Sequence, residues 1–133
     1  MKTKKTIRVI IADDHAMIRR GIRRILEKSS NICVIAEAET GVAAIHLVRE
    51  LSPDVLLLDI ELPDMKGYQV TRALRMSHSS VRILVLSACD DDHFIHETLR
   101  TGANAFLSKG EKPEKIRQAV YSVLEKMPAP AIF

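Results

Sequence analysis

At 133 residues, with 47% apolar and 28% charged residues, the chain is long enough for one domain with a sizeable core and is ordinary in composition for a globular protein. A net charge of +3 is too mild to argue for nucleic-acid binding by itself. No apolar run reaches the roughly 18 residues a membrane span needs, and the basic start Met1-Lys2-Thr3-Lys4-Lys5 is not followed by the apolar stretch of a secretory leader, so a cytoplasmic protein is expected.

Five apolar runs alternate with five helical patterns. Ile7 to Ala12 reads as the first strand and ends on Asp13-Asp14. The first helix follows, with Ile18, Ile22, Ile25 and Leu26 on one face and Arg19, Arg20, Arg23, Arg24 and Glu27 pointing away. Ile32 to Ala36 is the second strand. Thr40 then suits the N-cap of a second helix that buries Ala44, Ile45, Val48 and Leu51. Pro53 precedes the third strand, the unbroken run Val55 to Leu58, which ends on Asp59; a continuous aliphatic run marks a strand buried on both faces. A third helix starts near Gly67 and carries Val70, Ala73 and Leu74. Val81 to Leu86 is the fourth strand, ending on Ser87. Asp90, Asp91 and Asp92 open a fourth helix, where anions oppose the positive end of the helix dipole, and Gly102 closes it. Ala105 to Leu107 form a short fifth strand before Ser108 and Lys109. The fifth helix follows Pro113 and faces inward with Ile116, Ala119, Val120, Val123, Leu124 and Met127. Residues 1–127 thus form one domain, and Pro128-Ala129-Pro130-Ala131-Ile132-Phe133 reads as the beginning of an interdomain linker.

Strict alternation with short connections predicts an α/β fold: a flavodoxin-like, doubly wound, five-stranded parallel sheet of order 2-1-3-4-5 with five helices. That order reverses between the first and third strands, where a ligand crevice opens beyond the carboxyl ends. The polar residues past those ends are Asp13 and Asp14, Asp59, Ser87 and Lys109, whereas Glu37-Ala38-Glu39 after the second strand adds nothing comparable. Three crowded carboxylates repel one another and need a cation. Hard oxygen donors suit Mg²⁺, which together with Lys109 brings the three acids to neutrality. Such a site receives a phosphoryl group: Asp59 is the nucleophile, and Lys109 and the Ser87 hydroxyl meet its oxygens. No glycine-rich nucleotide fingerprint occurs.

Asp13-Asp14, Asp59 with the Leu62-Pro63-Asp64-Met65-Lys66-Gly67 loop, Ser87-Ala88 and Phe106-Leu107-Ser108-Lys109 together resemble the response-regulator receiver domains of two-component signalling. Ala12-Asp13-Asp14-His15, Gly21, Leu26 and Gly102-Ala103-Asn104-Ala105-Phe106-Leu107 are similar to the NarL/LuxR-type subfamily. The resemblance implies that Asp59 accepts a phosphoryl group from a histidine kinase. It implies that Asp14, Asp13 and the backbone carbonyl of Glu61 hold Mg²⁺, and that Ser87 and Phe106 form a switch pair. It further implies a C-terminal helix-turn-helix domain, absent from these residues, as the contact to DNA in transcription regulation, and it leaves room for a homodimer. The alternative output is that of a stand-alone receiver acting through protein–protein contacts. Phe106 stands where many members have Tyr, and Gly110 where many have Pro. Aspartyl-nucleophile phosphatases share the chemistry but set two acids two residues apart after the first strand, and their cap domain does not fit in 133 residues.

The remaining signals are bland. Cys33 and Cys89 read as buried or half-buried free thiols, His93 and His96 as exposed helix residues, and the arginines of the first helix as a solvated face or a kinase-docking surface.

Overall fold

Alternation along each aliphatic run divides the interior into two layers. The computed structural model describes residues 5–88, 92–125 and 131–133. In chain order these form β1 (Ile7–Ala12), α1 (Ala16–Leu26), β2 (Ile32–Ala38), α2 (Gly41–Leu51), β3 (Val55–Asp59), α3 (Gly67–Met76), β4 (Arg82–Ser87), α4 (Asp92–Arg100), β5 (Ala105–Ser108), α5 (Pro113–Val123) and β6 (Ala131–Ile132). Val9, Ile11, Val55, Leu57, Leu84 and Leu107 project to one face, where Ile22 and Leu26 of α1 and Ile116, Val120 and Val123 of α5 cover them. Ile10, Leu56, Leu58, Ile83 and Val85 project to the other, beneath Val48 of α2, Val70 and Leu74 of α3 and Ile95 of α4. All of β3 is buried, as its unbroken run requires. Each fully buried leucine there contributes about 1.5–3 kcal/mol relative to an exposed one.

The parallel order β2-β1-β3-β4-β5 is the expected one, and β6 extends it beyond β5. Residues 131 and 132, expected to belong to a linker, instead pair with Ala105 and Phe106, and Phe133 N–H donates to the Phe106 carbonyl at 2.9 Å. The physical reason is the edge itself: β5 would otherwise present bare backbone groups, and Phe133 packs partly against the apolar layer beside it. Asp90, Asp91, Cys89 and Met127 lie outside the described residues; Asp92 is the first residue of α4. Among the described residues no helix is long and apolar enough to cross a membrane.

Two side-chain placements differ from the sequence expectation. On α1 the buried stripe is Arg19, Ile22 and Leu26, while Ile18 is 39% exposed. The stripe is rotated by one position because Arg19 finds partners on β2. Cys33 is exposed rather than half-buried, since it alternates with buried Ile32 and Val34 on an edge strand.

Helix α2 shows how the loops are tied. Thr40 Oγ1 accepts from Ala43 N–H at 3.1 Å, the expected cap. Asp64, from the β3–α3 loop, accepts from Gly41 N–H at 2.7 Å and Val42 N–H at 3.1 Å. Burial pushes the Asp64 carboxyl up, but the backbone N–H donors of Gly41 and Val42 outweigh it and hold the group below the usual carboxylate range. Asp64→Ala is expected to lower stability by about 0.5–1 kcal/mol, the low end for a helix cap because the group is open to solvent. A folded-state value below the unfolded value of 3.8 makes this contribution present above 3.8 and lost as pH falls through the folded value. Urea melts should therefore show a gap between variant and wild type at neutral pH that closes in acid. A gap independent of pH would refute the assignment.

Candidate functional site

The strand register stacks the polar residues at one end of the sheet. Ala12 pairs with Leu58, so Asp13 lies beside Asp59. Asp59 pairs with Leu86, one residue before Ser87, and Ser87 pairs with Ser108, one residue before Lys109. Lys109 N–H donates to the Ser87 carbonyl at 2.9 Å, which fixes the start of the β5–α5 loop. Apolar strands thus end together and push their first polar residues into one shallow depression of about 160 Å³, lined by His15, Asp59, Glu61, Ser87, Ala88 and Lys109 among others. A larger hollow, about 610 Å³, opens between the loops at Ser52 and Ser77–Val81, away from these acids.

Asp13 is 2% exposed and Asp59 8%. The Lys109 ammonium donates to Asp13 Oδ2 and stands 3.5 Å from Asp59 Oδ2. Burial pushes the Asp59 carboxyl above its ordinary value; the Lys109 charge opposes this, and the neighbouring Asp13 charge adds to it. Glu61 N–H approaches Asp59 Oδ1 at 3.4 Å. The Glu61 side chain is exposed and faces Lys66 Nζ at 3.7 Å. Ser87 is 1% exposed at the end of β4. Phe106 is buried at 9% exposure, packed in the layer that holds Leu58 and Val85.

Asp13, Asp14, His15 and Asp59 each bring one ligand atom within 4.8 Å of the others. Three carboxylates at one point fit a hard divalent cation, and the oxygen donor set suits Mg²⁺. Asp14 is the open member of the set, its side chain 35% exposed. His15 Nδ1 lies 3.1 Å from Asp13 Oδ1 and 3.0 Å from Asp14 Oδ1, so the imidazole bridges the two acids although its side chain is 67% exposed.

The structure also recruits residues that the sequence reading set aside. Arg19 is 8% exposed; its Nη1 donates to the Asp13 carbonyl at 2.6 Å, Nε to Glu37 Oε1 at 2.9 Å and Nη2 to Glu39 Oε1 at 3.3 Å. Arg23 reaches Glu37 Oε2 at 2.8 Å. Glu37 is pushed up by burial, yet its hydrogen bonds to Arg19 and Arg23 hold it below the usual carboxylate range. The signal was present in outline: two acids follow the second strand, and four arginines line the first helix.

A parallel sheet of this order, with acids at the ends of β1 and β3 and a lysine after β5, defines a receiver fold, and residues 9–121 match the response regulator receiver domain. The chain belongs to that family, and its resemblances are of the NarL/LuxR type. It is 37% identical over 119 residues to the transcriptional regulatory protein DegU of Brevibacillus brevis, covering 90% of this chain and 50% of that protein. The signal receiver domain of the response regulator NarL from Mycobacterium tuberculosis superposes with a TM-score of 0.88 at 36% identity, covering 92% of this chain and 99% of that one. A LuxR-family two-component response regulator from Aurantimonas sp. SI85-9A1 gives 0.87 at 31% identity, covering 96% and 89%. The chain spans about half the length of the curated relative DegU.

Proposed function

We propose that this chain is the phosphorylation-activated receiver of a cytoplasmic two-component response regulator, with Asp59 as the phosphoryl acceptor. The observation that carries the reading is the meeting of Asp13, Asp14 and Asp59 around one point with Lys109 bonded to Asp13 and close to Asp59. One Asp59 carboxylate oxygen attacks phosphorus, the phosphorus bond to the kinase histidine nitrogen breaks, and the nitrogen keeps that electron pair. Asp13, Asp14 and the Glu61 carbonyl would hold Mg²⁺, which would supply positive charge toward the phosphoryl oxygens. Lys109 supplies the second positive charge, and the Ser87 hydroxyl donates to one of those oxygens. The chain catalyses its own uptake of the phosphoryl group from the donor and its later transfer to water, and turns over no other substrate.

The output we propose is transcriptional, through a helix-turn-helix domain C-terminal to this receiver, with homodimerisation as an accompanying step. Relatives that are named as transcriptional regulators and extend to about twice the matched length support it. For the switch, Ser87 and Phe106 are the pair. The Phe106 ring already packs inward, so we propose that displacement of β5 backbone, rather than a large ring swing, carries the signal.

The test is Mg²⁺-dependent uptake of BeF₃⁻ by the intact chain, followed through the backbone amide resonances of Ser87, Ala88 and Lys109. Saturable, Mg²⁺-dependent shifts are expected; no uptake at any Mg²⁺ concentration refutes the reading.

The kinase surface is narrower than the arginine cluster suggested. Arg19 and Arg23 are engaged with Glu37, whereas Arg20 and Arg24 are exposed beside Met17, which is 83% exposed. We propose that this basic and apolar strip on α1 receives the kinase. Reversing both charges, R20E with R24E, should slow transfer from a phosphohistidine protein about tenfold or more through lost steering, while labelling by acetyl phosphate keeps its rate. Equal loss in both assays would reject the docking role.

A further inference from the structure

We infer that Arg19 is a positioning residue for the metal-binding acids, acting through the peptide plane between Asp13 and Asp14; the inference rests on the metal reading proposed above. A guanidinium with 91% of its side-chain surface removed from water is an expensive feature unless each nitrogen has a partner. Here each does: one donates to the Asp13 carbonyl, and the other two donate to Glu37 and Glu39 at the end of β2.

The Asp13 carbonyl is the informative partner. It belongs to the rigid amide plane that also contains the nitrogen and Cα of Asp14. A hydrogen bond at 2.6 Å to that oxygen fixes the tilt of the plane and therefore the direction in which the Asp14 side chain leaves the backbone. The other polar groups of Asp13 are already held. Its N–H donates to the Ala38 carbonyl at 3.0 Å, Oδ1 accepts from His15 N–H at 2.9 Å, and Oδ2 accepts from Lys109. Asp14 is half-open, and among the described residues its carboxylate meets the His15 imidazole at 3.0 Å. His15 makes no side-chain cap for α1 and the first turn of α1 holds no acid; the local ties of the turn, His15 N–H to Asp13 Oδ1 and the His15 imidazole between the two carboxylates, engage side chains and not the Asp13 carbonyl. Arg19 holds that carbonyl from one helical turn further on and links it to Glu37 and Glu39 at the end of β2.

The experiment uses the intact chain and reads Mg²⁺ affinity by amide shift titration, with the thermal midpoint in Mg²⁺-free buffer measured alongside. Arg19→Met is expected to raise the Mg²⁺ dissociation constant 10- to 100-fold, the usual effect of removing a group that orients a metal ligand. Arg19→Lys, which keeps the charge and can reach one acceptor at a time, should fall between Arg19→Met and wild type and serves if Arg19→Met folds poorly. Glu37→Gln with Glu39→Gln leaves the bond to the Asp13 carbonyl in place. It should lower the thermal midpoint while changing Mg²⁺ affinity less than threefold. A merely structural Arg19 would give the opposite pattern, with stability lost and the folded protein binding Mg²⁺ as wild type does. An Arg19→Met protein within twofold of wild-type affinity, or an Arg19→Lys protein within twofold where Arg19→Met does not fold, overturns the inference and leaves the proposed function standing. A wild-type chain that binds no Mg²⁺ overturns both.

Discussion

Asp59→Asn is expected to abolish labelling by acetyl phosphate and uptake of BeF₃⁻, and at the same time to leave a chain more stable than wild type at neutral pH. The first effect follows from chemistry: an amide oxygen is not a competent nucleophile toward phosphorus, and of the three aspartates Asp59 is the one that lines the depression together with Ser87 and Lys109. The second follows from the setting of Asp59. Burial raises its carboxyl above the ordinary value of 3.8, Lys109 only partly offsets this, and Asp13 adds to it. A folded state that holds the acidic proton more tightly than the unfolded chain loses stability as pH rises from 3.8 through the raised folded value. Above that raised value the full penalty is in force. Asn removes it, which should stabilise the Mg²⁺-free chain by on the order of 1 kcal/mol, a few degrees in the thermal midpoint. The gain should shrink toward acid pH and when Mg²⁺ is added to the wild type. Residual covalent label in Asp59→Asn would show that a second residue accepts the phosphoryl group. A destabilised Asp59→Asn would show that the Lys109 contact outweighs the burial penalty.

Lys109→Met should act in the opposite sense on stability and in the same sense on chemistry. Its ammonium is 15% exposed and faces two carboxylates whose side chains are 2% and 9% exposed. Removing it leaves Asp13 and Asp59 buried, adjacent and unopposed, a loss of about 3 kcal/mol. That corresponds to a fall of roughly 10 °C in the thermal midpoint for a domain of this size. Labelling by acetyl phosphate should slow by about a hundredfold or more, because the positive charge proposed to meet the phosphoryl oxygens from Lys109 is gone. The stability loss has a specific rescue. Combining Lys109→Met with Asp59→Asn removes the repulsion, so the double variant should recover much of the loss without recovering labelling. Failure of that rescue would mean that Lys109 stabilises the fold through packing of its stem and not through its charge.

The site was legible in the sequence where its residues follow aliphatic runs. Asp13, Asp59, Ser87 and Lys109 are each the first polar residue beyond an aliphatic run or one position later, and the strand order then brings them together. Thr40 and Gly102 were legible for local reasons, as a side-chain cap and as a backbone at φ +120°. Arg19 was not, because its burial depends on Glu37 and Glu39, residues from a strand that is distant in sequence. Periodicity alone favours Ile18 at that point of the helix. Asp64 was likewise seen as part of a loop, not as the acceptor for the start of α2, since that contact spans 23 residues. β6 escaped because two residues behind Pro128 and Pro130 carry no periodic signal; only the bare edge of β5 makes them a strand.

That short strand also bears on how the protein behaves in a crowded solution. A parallel sheet has two margins, and an uncovered margin is a template for other chains. At the β5 margin, Ala131 and Ile132 occupy the positions beside Ala105 and Phe106 that another chain would take. At the β2 margin, Arg23 Nη2 donates to the Val34 carbonyl at 3.2 Å and Glu27 Oε2 accepts from Val34 N–H at 3.4 Å. Two charged side chains thus hold the backbone groups at the centre of that strand. The sheet is guarded by a strand on one side and by an ion pair on the other, so the backbone groups that would template edge-to-edge association are already occupied at both margins.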